Sequence, residues 1–146
     1  MLGYAYDRPV ENDAMNLENG RNCYGRGSWA SCLRYRDGVF YVSTVSSTRS
    51  RTHTYTTKDI EKGDWKATSF APSLHDHSLF FDDDGRVYML YGGGNLRLVE
   101  LEPDLSSIKE GGFNEGVIEN ASAVAGPMGG RLDGAGKHSV SGPAAC

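Results

Sequence analysis

From residue 28 to residue 101 the chain alternates apolar and polar positions in short runs broken by turn formers, and a period of two predicts β-strands. Residues 32–36 (Cys-Leu-Arg-Tyr-Arg) and 39–42 (Val-Phe-Tyr-Val) flank Asp37-Gly38, a pair suited to a two-residue hairpin turn. Residues 52–57, rich in Thr with His and Tyr, predict a third strand, and residues 65–70 a fourth. Leu79-Phe80-Phe81, Asp84-Gly85 and Val87-Tyr88-Met89-Leu90 then repeat the hairpin 47 residues on, with Tyr41 and Tyr88 keeping register. Residues 96–101 predict another strand, and Lys58-Asp59-Ile60 and Pro103-Asp104-Leu105 follow the third strand of each copy. A four-stranded unit recurring every 40–50 residues or so is the pattern of a propeller blade, and rings typically take roughly four to eight. The expected fold is therefore all-β, a partial β-propeller of about two to three blades of four-stranded antiparallel sheet.

The flanks read differently. Residues 1–27 are crowded with Asn and Gly and predict loop or a partial element. From residue 121 onward there is no aromatic residue, and Gly, Ala, Ser and Pro dominate. The expected organisation is one blade-bearing region over residues 1–120 and a poorly ordered tail over 121–146. Long segments of helical period are absent, so helix is expected to be minor.

Charge and cysteines narrow the partners. Fifteen Lys and Arg against nineteen Asp and Glu leave a net charge of −4, which offers no basic footprint for a nucleic-acid backbone. The longest apolar run, Val87–Tyr91, is far short of the roughly 20 residues of a spanning helix, and no apolar stretch follows Met1 as a signal peptide would, so no membrane partner is expected and the cellular location is left open. Cys23, Cys32 and Cys146 lack the paired spacing of a zinc site and read as free thiols or one incidental pair.

Several clusters invite chemistry, each with a plainer reading. In His75-Asp76-His77, strand alternation would put both histidines on one face and Asp76 on the other. The motif is a zinc half-site, a catalytic carboxylate or a polar strand cap. Asp82-Asp83-Asp84-Gly85 suggests a calcium site but fits a hairpin turn better, and Gly92-Gly93-Gly94-Asn95 reads as a turn rather than a phosphate cradle. Trp29 and Tyr35 are either platforms for a sugar ring or core residues. Arg49, Arg51 and His53 among hydroxyls are either an anion site or, the reading preferred, a solvated loop entering a strand.

With these residues in hand, Gly27-Ser28-Trp29-Ala30-Ser31, Arg34-Tyr35-Arg36-Asp37-Gly38-Val39-Phe40-Tyr41-Val42 and, most specifically, residues 75–88 (His-Asp-His-Ser-Leu-Phe-Phe-Asp-Asp-Asp-Gly-Arg-Val-Tyr) resemble glycoside hydrolase family 43. The resemblance runs over roughly residues 1–120, with Leu2-Gly3-Tyr4-Ala5 similar to the end of a first blade, 28–70 to a second and 76–120 to a third. It implies a five-bladed propeller, of which this chain, truncated at both ends, resembles about half. It also implies inverting hydrolysis of O-glycosidic bonds in plant cell-wall polysaccharide (xylan, arabinoxylan, arabinan), of the β-xylosidase or α-L-arabinofuranosidase type, with a pentose-containing saccharide as partner. Three carboxylates serve that family, and the match places only one: Asp76, as the group that tunes the acid's pKa, with Trp29 in a sugar subsite. His77 stands where the family usually has Pro. The general base and general acid are not found, and neither Ala125-Gly126-Pro127 nor Leu132-Asp133-Gly134 matches the acid motif. The isolated chain is therefore expected to be inactive or weak. Calcium is implied by the family without identifiable ligands, and family members are often secreted or periplasmic. Open blade faces predict self-association. The alternatives are a non-catalytic carbohydrate-binding or assembly fragment, and a degenerate gene product.

Overall fold

The computed structural model describes residues 13–121, so the tail expected over 121–146, apart from Ala121, and the first-blade end expected at Leu2-Gly3-Tyr4-Ala5 lie outside them. The chain divides after Ser73 into two compact units, each built on one four-stranded antiparallel sheet. Apart from α1 (Asp13–Asn16), the regular structure among the described residues is β-strand, and no helix there is long and apolar enough to cross a membrane.

The first unit carries β1 (Cys32–Arg36), β2 (Val39–Ser46), β3 (Arg51–Thr57) and β4 (Lys66–Phe70), paired in chain order as an up-and-down meander. Arg36 pairs with Val39 across Asp37-Gly38, whose φ angles of 51° and 79° are both left-handed. A tight two-residue loop of the primed kind needs that geometry to match the strand twist, and Asp and Gly tolerate it. Alternation then sorts the residues. Cys32, Ser43, Val45, Thr52, Thr54 and Phe70 share one face and are all buried, whereas Leu33 and Tyr35 on the opposite face of the edge strand are 55% and 63% exposed. Tyr35 packs on Phe40, its cross-strand partner, with ring centroids 4.7 Å apart.

The second unit carries β5 (Ser78–Phe81), β6 (Val87–Tyr91), β7 (Leu96–Leu101) and β8 (Asn114–Ile118), again in chain order. Leu79, Val87, Met89, Val99 and Leu101 share one face and are at most 4% exposed. Each such side chain contributes roughly 1.5–3 kcal/mol over its exposed state. The second Asp-Gly pair does not repeat the first turn. Phe81 pairs with Val87, Asp82 N–H donates to Arg86 O (2.9 Å), Gly85 N–H donates to Asp82 O (3.1 Å), and only Gly85, with φ 85°, is left-handed. The longer loop is held by its carboxylates: Asp82 Oδ1 accepts Asp83 N–H (2.7 Å) and Asp84 accepts both the backbone N–H and the guanidinium of Arg86. The triple-Asp run is thus a turn, with bonds to Arg86 holding the Asp84 carboxyl below the usual carboxylate range.

β8 carries no sequence signal. All five of its residues are exposed, Gly116 sits among them, and its register to β7 slips between Leu96 and Arg97, so it shows none of the alternation that marked the other strands. The Asp59 and Asp104 correspondence does have a structural counterpart. After β3 the Asp59 carboxylate accepts the N–H groups of Glu61 and Lys62, and after β7 the Asp104 carboxylate accepts that of Ser106, so each caps a turn.

Candidate functional site

Asp76 lies in the second unit, just before β5. The strand begins only at Ser78, so residues 75–77 form a loop and the strand alternation expected for them does not apply. Asp76 takes a left-handed backbone (φ 49°), which throws the two histidines apart. His77 turns inward, 7% exposed, with Nδ1 2.9 Å from Leu74 O, while the His75 side chain is half-exposed with Nε2 3.3 Å from Asp76 Oδ2. The loop is anchored by the buried Leu74 and by Gly92 N–H donating to His75 O (3.0 Å). The glycine-rich turn at 92–94 therefore positions the Asp76 loop rather than binding a phosphate; a Cβ at Gly92, whose φ is 121°, would collide with the Asn95 carbonyl. The carboxylate of Asp76 is held between solvent and an imidazole, its side chain 22% exposed.

With its histidines separated, the zinc reading of this motif loses its half-site. Among the described residues no group of three or more His, Cys, Asp and Glu is placed to hold a metal ion.

Trp29 lies in the first unit, in the segment leading to β1. Its N–H donates to Val45 O (3.0 Å) and its carbonyl accepts the Thr44 hydroxyl (2.8 Å), which fixes the segment against the end of β2. The Trp29 side chain remains partly exposed and borders a cavity of about 400 Å³ lined also by Cys23, Gly25, Gly27, Ser28 and Ala30. Cys23 is a free thiol, and a Cβ at Gly27 would press on its sulfur at 3.2 Å, so small residues keep that cavity open. An aromatic flank over a concave surface is what a stacked pyranose or furanose ring requires. Trp29 is not a core residue, and neither is Tyr35.

Asp76 and Trp29 thus stand on separate units. His53 lies in the third strand, as expected for residues 52–57, but its burial departs from the solvated-loop reading. It sits between Thr44 on β2 and Ser69 on β4, 8% exposed rather than solvated, and its Nε2 is buried with no hydrogen-bond partner. Burial first, then the charges of Arg49 and Arg51, lower its pKa. Alternation with Tyr55 and Thr57 was the available signal, since those neighbours two and four residues on share its face.

Each unit is a four-stranded antiparallel meander, and the pair places the protein in the class of all-β proteins built from repeated blade-like sheets. The narrower assignment comes from the sequence. The chain matches the family model described as glycosyl hydrolases family 43 over residues 6–134, and it belongs to that family. It is 31% identical over 122 aligned positions to a xylan 1,3-beta-xylosidase of Vibrio sp., covering 71% of this chain and 22% of the relative. It is 38% identical over 71 positions to a beta-xylosidase of Bacillus subtilis (strain 168), covering 44% of this chain and 13% of the relative. Among solved structures, a bifunctional GH43-CE of Bacteroides eggerthii superposes with a TM-score of 0.76 at 57% identity, over 84% of this chain and 16% of that one. The chain therefore spans only about a fifth or less of the length of these relatives.

Proposed function

We propose that this chain is part of the catalytic propeller of an inverting glycosidase acting on pentose-containing plant polysaccharides (xylan, arabinoxylan or arabinan), with its two sheets as two blades of a five-bladed ring. The family match over residues 6–134 carries the reading, and the names of the xylosidase relatives support the substrate class. In this reading Asp76 is not the group that transfers the proton. An inverting enzyme holds its general acid and general base roughly 6.5–9.5 Å apart so that a water fits between base and sugar. The acid must keep its proton near working pH, and an ionised neighbour raises its pKa by disfavouring a second negative charge. Asp76 suits that neighbour's role: its loop is pinned by Leu74 and Gly92, and its carboxylate has an imidazole at 3.3 Å. Trp29 supplies an aromatic platform for a sugar ring.

No residue of this chain is assigned as base or acid. Each such group typically contributes about 10²- to 10⁴-fold, so the isolated chain is expected to hydrolyse glycosides weakly or not at all. The partly exposed Trp29 beside its cavity favours a second reading, saccharide binding without turnover. Hydrolysis of aryl β-xyloside and aryl α-L-arabinofuranoside by the purified chain, alongside Asp76→Asn, separates the two. Turnover that disappears in the variant would mean a working site assembles and that the chain is a glycosidase by itself. Saccharide binding without turnover selects the non-catalytic reading, and neither binding nor turnover in folded protein would sink both.

A further inference from the structure

The first unit carries a cationic cluster that the proposed chemistry does not use. It lies at the end of the sheet where β2 turns into β3 through Ser47, Thr48, Arg49 and Ser50. Antiparallel partners share a face, so Thr44, His53 and Ser69 stand in one row across β2, β3 and β4, with Arg51 two residues from His53 on the same face. The Arg51 guanidinium is fixed by Ser69, donating to its Oγ (3.1 Å) and its carbonyl (2.7 Å), both uncharged acceptors. Thr44 at the other end of the row holds the Trp29 carbonyl. Between them His53 presents its buried, unpartnered Nε2.

The charge balance of this corner is one-sided. From Gly38 to Lys58 the sequence contains no Asp or Glu, so nothing on either strand of this hairpin answers Arg49 and Arg51. The effect reaches His53, whose pKa is lowered by burial first and then by those two guanidiniums. Leaving a buried polar atom unpaired is costly, and such an atom beside uncompensated cations is an arrangement that an incoming anion relieves. An imidazole can offer an N–H and an arginine a planar fork, donors that suit the paired oxygens of a carboxylate.

We infer that Arg49, Arg51 and His53 form a binding site for the carboxylate of a sugar acid, one residue along a saccharide chain from the ring that rests on Trp29. The carboxylate is argued from the cluster alone, whereas its attachment to a saccharide rests on the carbohydrate reading above. The site would make the protein favour acidic over neutral oligosaccharides.

The test follows the histidine-ring and tryptophan-indole NMR signals of the full chain at constant ionic strength. Sodium D-glucuronate is expected to move the His53 signal saturably and D-xylose to leave it in place. Arg49→Gln, a change at a turn residue, is expected to weaken the glucuronate response about tenfold, the worth of one charge-assisted hydrogen bond. A larger His53 response to inorganic phosphate, or an equal one to acetate or xylose, would overturn the sugar-acid assignment. If xylose or xylobiose perturbs the Trp29 indole while glucuronate leaves His53 unmoved, the anion site is wrong and the carbohydrate reading survives. If no saccharide moves either signal, both are wrong.

Discussion

At the scale of single residues, Asp76 combines a proposed chemical role with an unusual backbone. Its φ of 49° lies in the left-handed region, where side chains with a Cβ pay roughly 1–2 kcal/mol and Asp and Asn pay least because their short polar groups bond locally. Asp76→Asn should therefore keep the loop, whereas Asp76→Ala should cost about 1 kcal/mol more, a melting temperature lower by several degrees for a unit of this size. Thermal denaturation followed by circular dichroism checks this; equal melting temperatures for the two variants would mean the loop does not depend on the carboxylate or its amide analogue. The sequence singled out Asp76 and Trp29 by resemblance, but it could not show that His77 folds inward while His75 stays out. That difference arises from one left-handed residue between them. The burial of His53 was hidden for a related reason: its neighbours Arg49, Ser50 and Arg51 are turn-like and polar, and only the pairing of β3 reveals that its side chain is covered.

At the scale of elements, the two sheets show how much a turn controls. Asp37-Gly38 sets a two-residue loop in one, while Asp82-Asp83-Asp84-Gly85-Arg86 makes a longer carboxylate-capped loop in the other, although both contain Asp-Gly. The flanking residues decide, because Asp82 and Asp84 can bond the loop backbone and no equivalent carboxylates precede Asp37. The long connection from β7 to β8 is organised by one buried acid. Glu100 accepts from Lys109 Nζ (2.6 Å) and from Phe113 N–H (3.2 Å), and Gly112 lets the chain pass close, a Cβ there lying 3.1 Å from that of Glu100. These bonds, Lys109 foremost, lower the Glu100 pKa. A carboxyl whose folded pKa is below its unfolded value, near 4.3, contributes stability that is whole above that pH and is lost as pH falls through the folded value. Lys109→Met should lower stability at neutral pH and flatten its decline between about pH 5 and pH 2. Urea midpoints of both proteins across that range test this, and parallel pH profiles would remove the pair from the acid response.

At the scale of the whole molecule, five of the nine large apolar side chains exposed among the described residues lie on edge strands. Leu33 and Tyr35 lie on β1, Phe80 on β5, and Val117 and Ile118 on β8, all more than 40% exposed. Edge strands with unpaired backbone and apolar side chains are templates for association. The protein is therefore expected to self-associate with rising concentration, and Leu33→Lys combined with Tyr35→Lys should shift it toward monomer in sedimentation velocity. A wild-type chain that stays monomeric into the high micromolar range would show that these edges are not adhesive.

The amino-acid sequence by itself determined the class of fold, the hairpins, the repeat and the family, because these are written in local terms: alternation of two, turn residues suited to left-handed φ, and a contiguous motif around Asp76. Tertiary structure alone decided what depends on pairing between strands distant in sequence. It made β8 a strand although its residues carry no alternation, since β7 offered it a ladder. It also buried His53 with an unpartnered Nε2, across from the Thr44 that bonds the Trp29 carbonyl. Burial and hydrogen-bond satisfaction are properties of neighbours across a sheet, and a linear pattern specifies the face a side chain takes but not what stands on the next strand.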